Sequence, residues 1–194
     1  IEQGYEAEGF IPSPTEGWGL NITYANSSFG QGMTATPIQM GAAFSSIING
    51  GKYYKPTLVE SVTDSTGKKE PNKPDVLKDN VVSHDVSEQL NSMLITTFEH
   101  NRAVYGMRKT RTAYSIGGKT GTAQITKPTG GYYDDKFNGM YLGFVGGDKP
   151  QYVIVVRMDE PNIAGYAGSR AAAPVFVDLA NMLIDSYGVT PKSN

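Results

Sequence analysis

One eight-residue run, GGKTGTAQ at residues 117–124, constrains the fold of this chain more than any other segment. It places a lysine, two threonine hydroxyls and several glycines within a stretch rich in Tyr, Ile and Thr. Aromatic and β-branched residues favour strands, and a glycine inside a strand lets a ligand backbone approach closely. The pattern therefore predicts a strand over residues 114–126. Its candidate site residues are Lys119, Thr120, Gly121 and Thr122.

A nucleotide-binding loop is the rival interpretation of the same letters. Residues 113–120, AYSIGGKT, match a relaxed phosphate-loop pattern, and a later apolar segment ends in Asp159 and Glu160, which would hold magnesium. A phosphate loop directs backbone N–H groups and a helix N-terminus at the anion, so a long helix must follow the Lys-Thr pair. The residues after Thr120 bring glycines, β-branched threonines and Pro128 instead. A P-loop NTPase therefore stays a distant alternative.

An exposed strand of this composition suits the binding of a peptide. A peptide laid along a strand edge gains main-chain hydrogen bonds, while hydroxyls and an ammonium hold a terminal carboxylate. The other interpretation is an ordinary strand whose Lys119 is merely solvated. Simple alternation points Lys119 away from Thr120 and Thr122, so an edge-on ligand is needed if all three serve one cleft.

The run KTGT followed by Ala123 and Gln124 resembles the third signature motif of the penicillin-binding proteins, the serine transpeptidases. Further segments resemble class B members of that family in the same order: SFGQG at 28–32, ATPIQM at 35–40, NGGKYYKP at 49–56, YLGFVG at 141–146 and AAAPVF at 171–176. The resemblance spans nearly the whole chain. It implies an α+β fold of the β-lactamase/transpeptidase type, an antiparallel sheet flanked by helices, with residues 1–194 as the C-terminal portion of the transpeptidase domain.

Two motifs of that family are not credibly present. Ser65 and Lys68 match Ser-x-x-Lys in letters, but they lie in a polar Gly- and Pro-containing stretch that is typical of a hairpin tip. A nucleophilic serine needs a helix N-terminus and a basic neighbour removed from water. No internal Ser-x-Asn occurs. We therefore expect the nucleophile and the Ser-x-Asn motif to lie on sequence outside this chain, and the chain alone to be inactive.

The resemblance implies a peptidoglycan D,D-transpeptidase that cross-links stem peptides ending in D-Ala-D-Ala and is acylated by β-lactams. By motif position, Lys119 would support the proton network as a catalytic residue, and Thr120 and Thr122 would bind the terminal carboxylate. The backbone N–H of Thr122 would be an oxyanion donor, and Gly121 would leave room for the substrate. No cofactor or metal is implied. The resemblance also implies a membrane-anchored parent at the extracytoplasmic face of a bacterial membrane, active in division or cell shape.

Two alternatives keep the fold and change the activity. With water as the acceptor the protein is a D,D-carboxypeptidase or a β-lactamase, and without turnover it is a β-lactam-binding sensor. Composition excludes other classes: a net charge of −2 gives no electrostatic basis for nucleic-acid binding. The absence of cysteine removes disulfides and thiolate metal sites, and no apolar run is long enough to span a membrane.

The helices are predicted from caps and apolar spacing. Thr36 and Gln39 form a capping box for a helix that ends at Asn49, with Met40, Phe44 and Ile47 as core. Ser83 caps a second helix that should pack on the sheet. A closing helix begins at Ser169 and ends at Gly188, its apolar face made of Phe176, Leu179, Ala180, Leu183 and Ile184.

The remaining elements are predicted from composition and turns. Residues 1–33 should be irregular, residues 53–63 and 76–82 should pair as an appended hairpin within 52–83, and residues 127–138 should form a mobile loop with solvated Asp134 and Asp135. Strands at 139–147 and 152–158 should be antiparallel neighbours. Residues 114–187 would thus hold the active strand, two further strands and the closing helix.

Overall fold

The computed structural model of the chain describes residues 1–2, 4–13, 15, 20–163 and 167–193, and for Leu20 the backbone alone. Within these residues the helices are α1 Leu20–Ser27, α2 Pro37–Ile48, α3 His84–Val104 and α4 Ala173–Ser186, the last preceded by a π-helical turn, Gly168–Ala172. The strands are β1 Tyr53–Tyr54, β2 Ser61–Thr63, β3 Lys69–Pro71, β4 Val76–Lys78, β5 Ser115–Thr126, β6 Tyr132–Gly146 and β7 Pro150–Asp159.

The three long strands form one antiparallel sheet in the order β5-β6-β7. In its centre Thr120 pairs with Tyr141, which pairs with Val156. The predicted strand at 114–126 and the predicted antiparallel pairing of the next two are therefore confirmed. Because β5 continues as a strand to Thr126, no helix follows the Lys-Thr pair, and the geometry that a phosphate loop requires is not there.

Helices cover both faces of this sheet, in agreement with the prediction of an antiparallel sheet flanked by helices. On one face Phe44 and Ile48 of α2 pack with Phe144 of β6. On the other face Phe176 of α4 stacks on Tyr141 at a ring-centroid distance of 4.5 Å. Phe98 of α3 reaches this second cluster and meets the Phe176 ring edge-on at 6.0 Å. The sheet is thus the middle layer of a helix-sheet-helix arrangement.

Local signals set the helix ends correctly. The Thr36 hydroxyl accepts from the Gln39 N–H at 3.2 Å and the Gln39 side chain accepts from the Thr36 N–H at 2.9 Å, which is the predicted capping box. The stop after α2 uses Gly50 and Gly51 at φ of 90° and 97°. The Ser83 cap of α3 and the end of α4 before Gly188 are confirmed as well. The core prediction for Met40 is only partly right, because this side chain borders a cavity described below.

The prediction of a loop over residues 127–138 is wrong. Strand β6 already begins at Tyr132, and Phe137 pairs with Gln124 of β5. Only residues 127–131 form the turn, with Gly130 and Gly131 at positive φ. The glycines are turn residues as predicted, but the first part of β6 pairs with β5, and this pairing extends the strand through polar residues of low strand propensity.

Two other expectations need correction. Residues 1–33 are not irregular throughout, since α1 occupies Leu20–Ser27 and Phe10 bridges to Thr34; Trp18 lies outside the described residues. The long hairpin over 53–63 and 76–82 is instead two short ladders. Tyr53–Tyr54 pairs with Val76–Lys78, and Ser61–Thr63 pairs with Lys69–Pro71, which the sequence assigned to the polar tip.

Candidate active site

Residues 119–122 lie where β5 passes from a buried segment to an exposed one. Gly117 and Gly118 are buried. A Cβ atom at Gly117 would lie 2.6 Å from the Phe144 ring, and one at Gly118 would lie 2.5 Å from the Tyr141 ring. Lys119, Gly121 and Thr122 are exposed. The two glycines let β5 press on aromatic side chains of β6, which anchors the strand immediately before the motif.

The Lys119 side chain turns back to its neighbour. Its Nζ donates to the Thr120 carbonyl oxygen at 2.9 Å and to the Thr120 hydroxyl at 3.4 Å. Strand β5 is an edge of the three-stranded sheet, so a carbonyl on its outer side needs no strand partner. The Lys119 ammonium therefore reaches the Thr120 hydroxyl, although neighbouring side chains of a strand leave the backbone on opposite faces.

Thr122 is held differently. Its hydroxyl oxygen accepts from the backbone N–H of Gly168 at 3.2 Å. Between the two threonines, a Cβ atom at Gly121 would meet only Met140 Cβ, at the ordinary contact distance of 3.7 Å. The structure thus places Lys119, Thr120, Gly121 and Thr122 on one accessible stretch of strand, and it leaves space above Gly121.

A cavity of about 490 Å³ adjoins this stretch. It runs between β5 and the segment that leads into α2. Lining residues include Phe29, Met33, Met40, Gly121, Met140 and Arg157. The wall is mainly apolar with few polar groups, which is the usual character of a small-molecule site.

The charges around the cavity are mostly paired. Arg157 lines it and donates to Asp159 at 2.8 Å. On the strand β6 side, Lys136 donates to Glu160 at 2.9 Å, and this hydrogen bond raises the pKa of Lys136 above its ordinary value. Asp159 and Glu160, the acids of the rejected magnesium interpretation, are thus each paired with a cation: Asp159 with Arg157 of the same strand, and Glu160 with Lys136 of β6.

Tyr141 lies beneath the motif as the cross-strand partner of Thr120. It is fully buried, and its hydroxyl has no hydrogen-bond partner among the described residues. Burial raises the pKa of this phenol well above its usual range. Tyr141 is therefore a neutral, apolar support for the strand under all ordinary conditions.

The Ser-x-x-Lys look-alike lies in a turn between β2 and β3. Asp64 Oδ1 accepts from the N–H groups of Thr66 and Lys68 at 2.8 and 3.0 Å, and Gly67 has a φ of 84°. This Asx-type turn is solvent-exposed and begins no helix. The interpretation of Ser65 as a coincidental match is supported, because the surroundings that activate a serine are absent from the turn.

Three residues that contribute to the site, Gly168, Phe29 and Met33, were given no role from the sequence. Gly168 binds Thr122 from a position 46 residues away, and nothing in the local pattern around either residue indicates this contact. Phe29 and Met33 line the cavity. Phe29 belongs to the SFGQG segment, whose place in the resemblance was the one signal that pointed to it.

Asp134 and Asp135 are exposed. Within the described residues, no group of three or more His, Cys, Asp or Glu side chains is arranged to hold a metal ion. Over the same part of the chain, none of the helices combines the length and the apolar character needed to cross a bilayer.

Known proteins resemble this chain over most of its length. The family model described as the penicillin binding protein transpeptidase domain matches residues 2–181. The chain is 33% identical to stage V sporulation protein D of Bacillus subtilis over 89% of its own length. It is 31% identical to a peptidoglycan D,D-transpeptidase FtsI homolog of Mesostigma viride, again over 89% of its length. It spans only 26% and 30% of these two relatives.

A solved structure extends the likeness to three dimensions. Penicillin binding protein 3 of Mycobacterium tuberculosis, in complex with ampicillin, superposes with a TM-score of 0.79 at 28% identity. The match covers 97% of this chain and 42% of that one. The fold is therefore that of the transpeptidase domains, as the class B resemblance implied. This chain belongs to the penicillin-binding protein transpeptidase domain family.

Proposed function

We propose that this chain is the substrate-holding portion of a peptidoglycan D,D-transpeptidase that works through a serine acyl-enzyme. The observation that carries the proposal is the exposed edge strand on which Lys119, Thr120 and Thr122 stand beside an apolar cavity. A peptide or a β-lactam can lie along such an edge and form main-chain hydrogen bonds with it.

The roles that we propose for the motif residues are those that the motif position implies, and the contacts of each support them. The Thr122 hydroxyl binds the terminal carboxylate of the donor peptide, and the Thr122 backbone N–H stabilises the oxyanion of the tetrahedral intermediate. Lys119 and the Thr120 hydroxyl, already joined at the strand edge, supply positive charge and a proton path. Gly121 lines the cavity and carries no side chain that would obstruct the substrate.

The attacking serine and the Ser-x-Asn motif come from sequence outside this chain. The serine attacks the carbonyl between the last two D-alanines, D-alanine leaves, and an amine of a second stem peptide then resolves the acyl-enzyme. The relatives with transpeptidase names and the ampicillin-bound neighbour support this chemistry and a location at the extracytoplasmic face of the membrane. They favour an amine over water as the acceptor.

A fluorescent penicillin tests the proposal. We expect it to label the full-length protein that contains this chain covalently, and to leave the isolated chain of residues 1–194 unlabelled. Labelling of the isolated chain would show that the nucleophile lies within residues 1–194. A folded full-length protein that takes no label would contradict the penicillin-binding function itself.

A peptide ending in D-Ala-D-Ala separates the acceptors. With an amine acceptor present, the expected product is the cross-linked peptide together with free D-alanine. Release of D-alanine with no cross-linked product, under the same conditions, would instead identify a carboxypeptidase.

A further inference from the structure

The contact between Thr122 and Gly168 joins the motif strand to the start of the closing helical segment. Gly168 is the first residue of the π-helical turn, and it is buried. The Gly168 N–H donates to the Thr122 hydroxyl at 3.2 Å.

This hydrogen bond determines which further hydrogen bonds the Thr122 hydroxyl can form. A threonine hydroxyl carries one proton to donate and two lone pairs to accept. The Gly168 N–H donates to one lone pair of the hydroxyl oxygen, and it cannot accept the hydroxyl proton. The proton is therefore free for an anion, and the oxygen is held at a defined position.

We propose that Gly168 is a positioning residue for Thr122, which it orients to donate its hydroxyl proton to the carboxylate of the ligand. This proposal rests on the proposed function, since the carboxylate is that of a donor peptide or a β-lactam. Gly168 lies outside the motif strand, and close packing explains why it is a glycine.

Residue 168 is a glycine because any side chain at this position would lie too close to the neighbouring strands. A Cβ atom at position 168 would lie 2.5 Å from the Gly121 carbonyl oxygen, 3.1 Å from the Met140 carbonyl oxygen and 3.1 Å from Thr122 Oγ1. Two of these atoms are backbone, which does not give way as the end of a flexible side chain does. Gly168 is not among the residues with positive φ, so close approach and not backbone conformation requires glycine.

A second glycine completes the contact from the sheet side. Gly139 pairs directly with Thr122, and a Cβ atom there would lie 2.4 Å from the Ala167 carbonyl carbon and 2.8 Å from the Gly168 nitrogen. The turn therefore rests on the backbone of two strands. The turn is also wide: the Ala173 N–H donates to the Gly168 carbonyl, five residues back, and such π-turns occur frequently at functional sites.

The test compares two ligands that differ only in the carboxylate. Acylation rates of the full-length protein are measured with a penicillin and with its methyl ester, and the ratio of the two rates is the readout. The variants are Gly168→Ala, Thr122→Val and the double variant. Gly41→Ala is the matched control, because Gly41 also packs on the sheet, where its Cβ would meet only the tip of Val155 at 3.3 Å.

We expect Gly168→Ala to lower the acid-to-ester ratio by about tenfold or more, since a small displacement of a polar group costs much of its effect on a reacting ligand. Thr122→Val should lower the ratio similarly, and the double variant should go no lower than Thr122→Val alone. Gly41→Ala should leave the ratio unchanged. A loss of folded protein affects both rates equally and leaves the ratio untouched.

Equal slowing of both ligands by Gly168→Ala in protein that is shown to be fully folded, or a further fall in the ratio on the Thr122→Val background, overturns the proposal. Failure of the unmodified protein to react with penicillin at all would instead contradict the proposed function. Should Gly168→Ala not fold, amide hydrogen exchange answers the question. Protection of the Gly168 N–H should fall at least about tenfold in Thr122→Val and persist in Thr122→Ser; unchanged protection in Thr122→Val overturns the proposal.

Discussion

The Lys119 ammonium lies 2.9 Å from the carbonyl oxygen of Thr120 and 3.4 Å from its hydroxyl. Neighbouring strand residues point to opposite faces, so this contact exists only because the long lysine side chain bends around an edge that no other strand of the described chain covers. The arrangement brings a positive charge and a hydroxyl to the same side of the strand, where a peptide end can reach both.

Replacement of Lys119 by methionine should lower penicillin acylation of the full-length protein at least about a hundredfold, because a preorganised positive group near the reacting carbonyl is lost. Stability should change by less than about 0.5 kcal/mol, since the side chain is exposed. Lys69→Met is the control, because Lys69 is an exposed lysine in a strand of a separate ladder. An unaltered acylation rate in Lys119→Met would contradict the assigned role.

Gly121→Ala should separate binding from stability. Its new methyl group would make only ordinary contact with Met140, at 3.7 Å, so the thermal midpoint should hardly move. The methyl group nevertheless occupies space through which the ligand approaches, and we expect acylation to slow by about tenfold. Rates equal to those of the unmodified protein would show that the ligand does not pass over Gly121.

Gly143→Ala, in contrast, should lower the stability of the protein. A Cβ atom there would lie 2.6 Å from the Gly117 carbonyl oxygen and 2.6 Å from the Phe176 ring. Overpacking of this kind costs about 1–3 kcal/mol of unfolding free energy, which denaturant unfolding measures. A stability equal to that of Gly121→Ala would show that the sheet is looser here than the geometry indicates.

Phe176→Ala should be among the most destabilising single changes. The ring is fully buried and contacts both Tyr141 and Phe98, so its removal leaves a cavity between α4 and the sheet. Such truncations cost about 3–5 kcal/mol. Val175→Ala, on the same helix but exposed, is the matched control and should cost far less. Equal losses in the two variants would contradict the placement of α4.

Tyr141→Phe should be neutral or slightly stabilising at neutral pH, since the buried hydroxyl has no partner among the described residues. The two proteins should differ in alkali. Burial raises the pKa of Tyr141 in the folded state, so the unfolded state loses this proton first. Stability is then fully present below about pH 10, the ordinary tyrosine pKa, and falls as the pH rises above it.

Thermal midpoints measured between pH 8 and pH 11 test this linkage. The unmodified protein should lose more stability than Tyr141→Phe across the upper part of that range. Parallel curves would show that Tyr141 ionises freely and is therefore not sealed beneath the motif.

Elements decided by neighbouring residues were predicted correctly from the sequence. The capping box of Thr36 and Gln39 lies within one helical turn, so no distant contact is needed to form it. The strand character of β5 and the turn at Gly130 and Gly131 were also apparent, because β-branched residues and glycines act locally.

Elements decided by pairing were predicted less well. The start of β6 at Tyr132 depends on the facing residues of β5, and these overrode the loop-like composition around Asp134 and Asp135. The division of residues 52–83 into two ladders depends likewise on which short segments meet, with Pro71 opposite Ser61. Neither pairing leaves a local trace that composition can reveal.

The sequence by itself determined that the KTGT run lies extended on a strand and that helices flank the sheet, because propensity, capping and apolar spacing act over a few residues. Only the tertiary structure decided that the Lys119 ammonium bends to Thr120 and that Gly168 holds the Thr122 hydroxyl. The first contact depends on a free strand edge and the second on two glycines that let distant backbones approach, and both conditions arise only when the chain is folded.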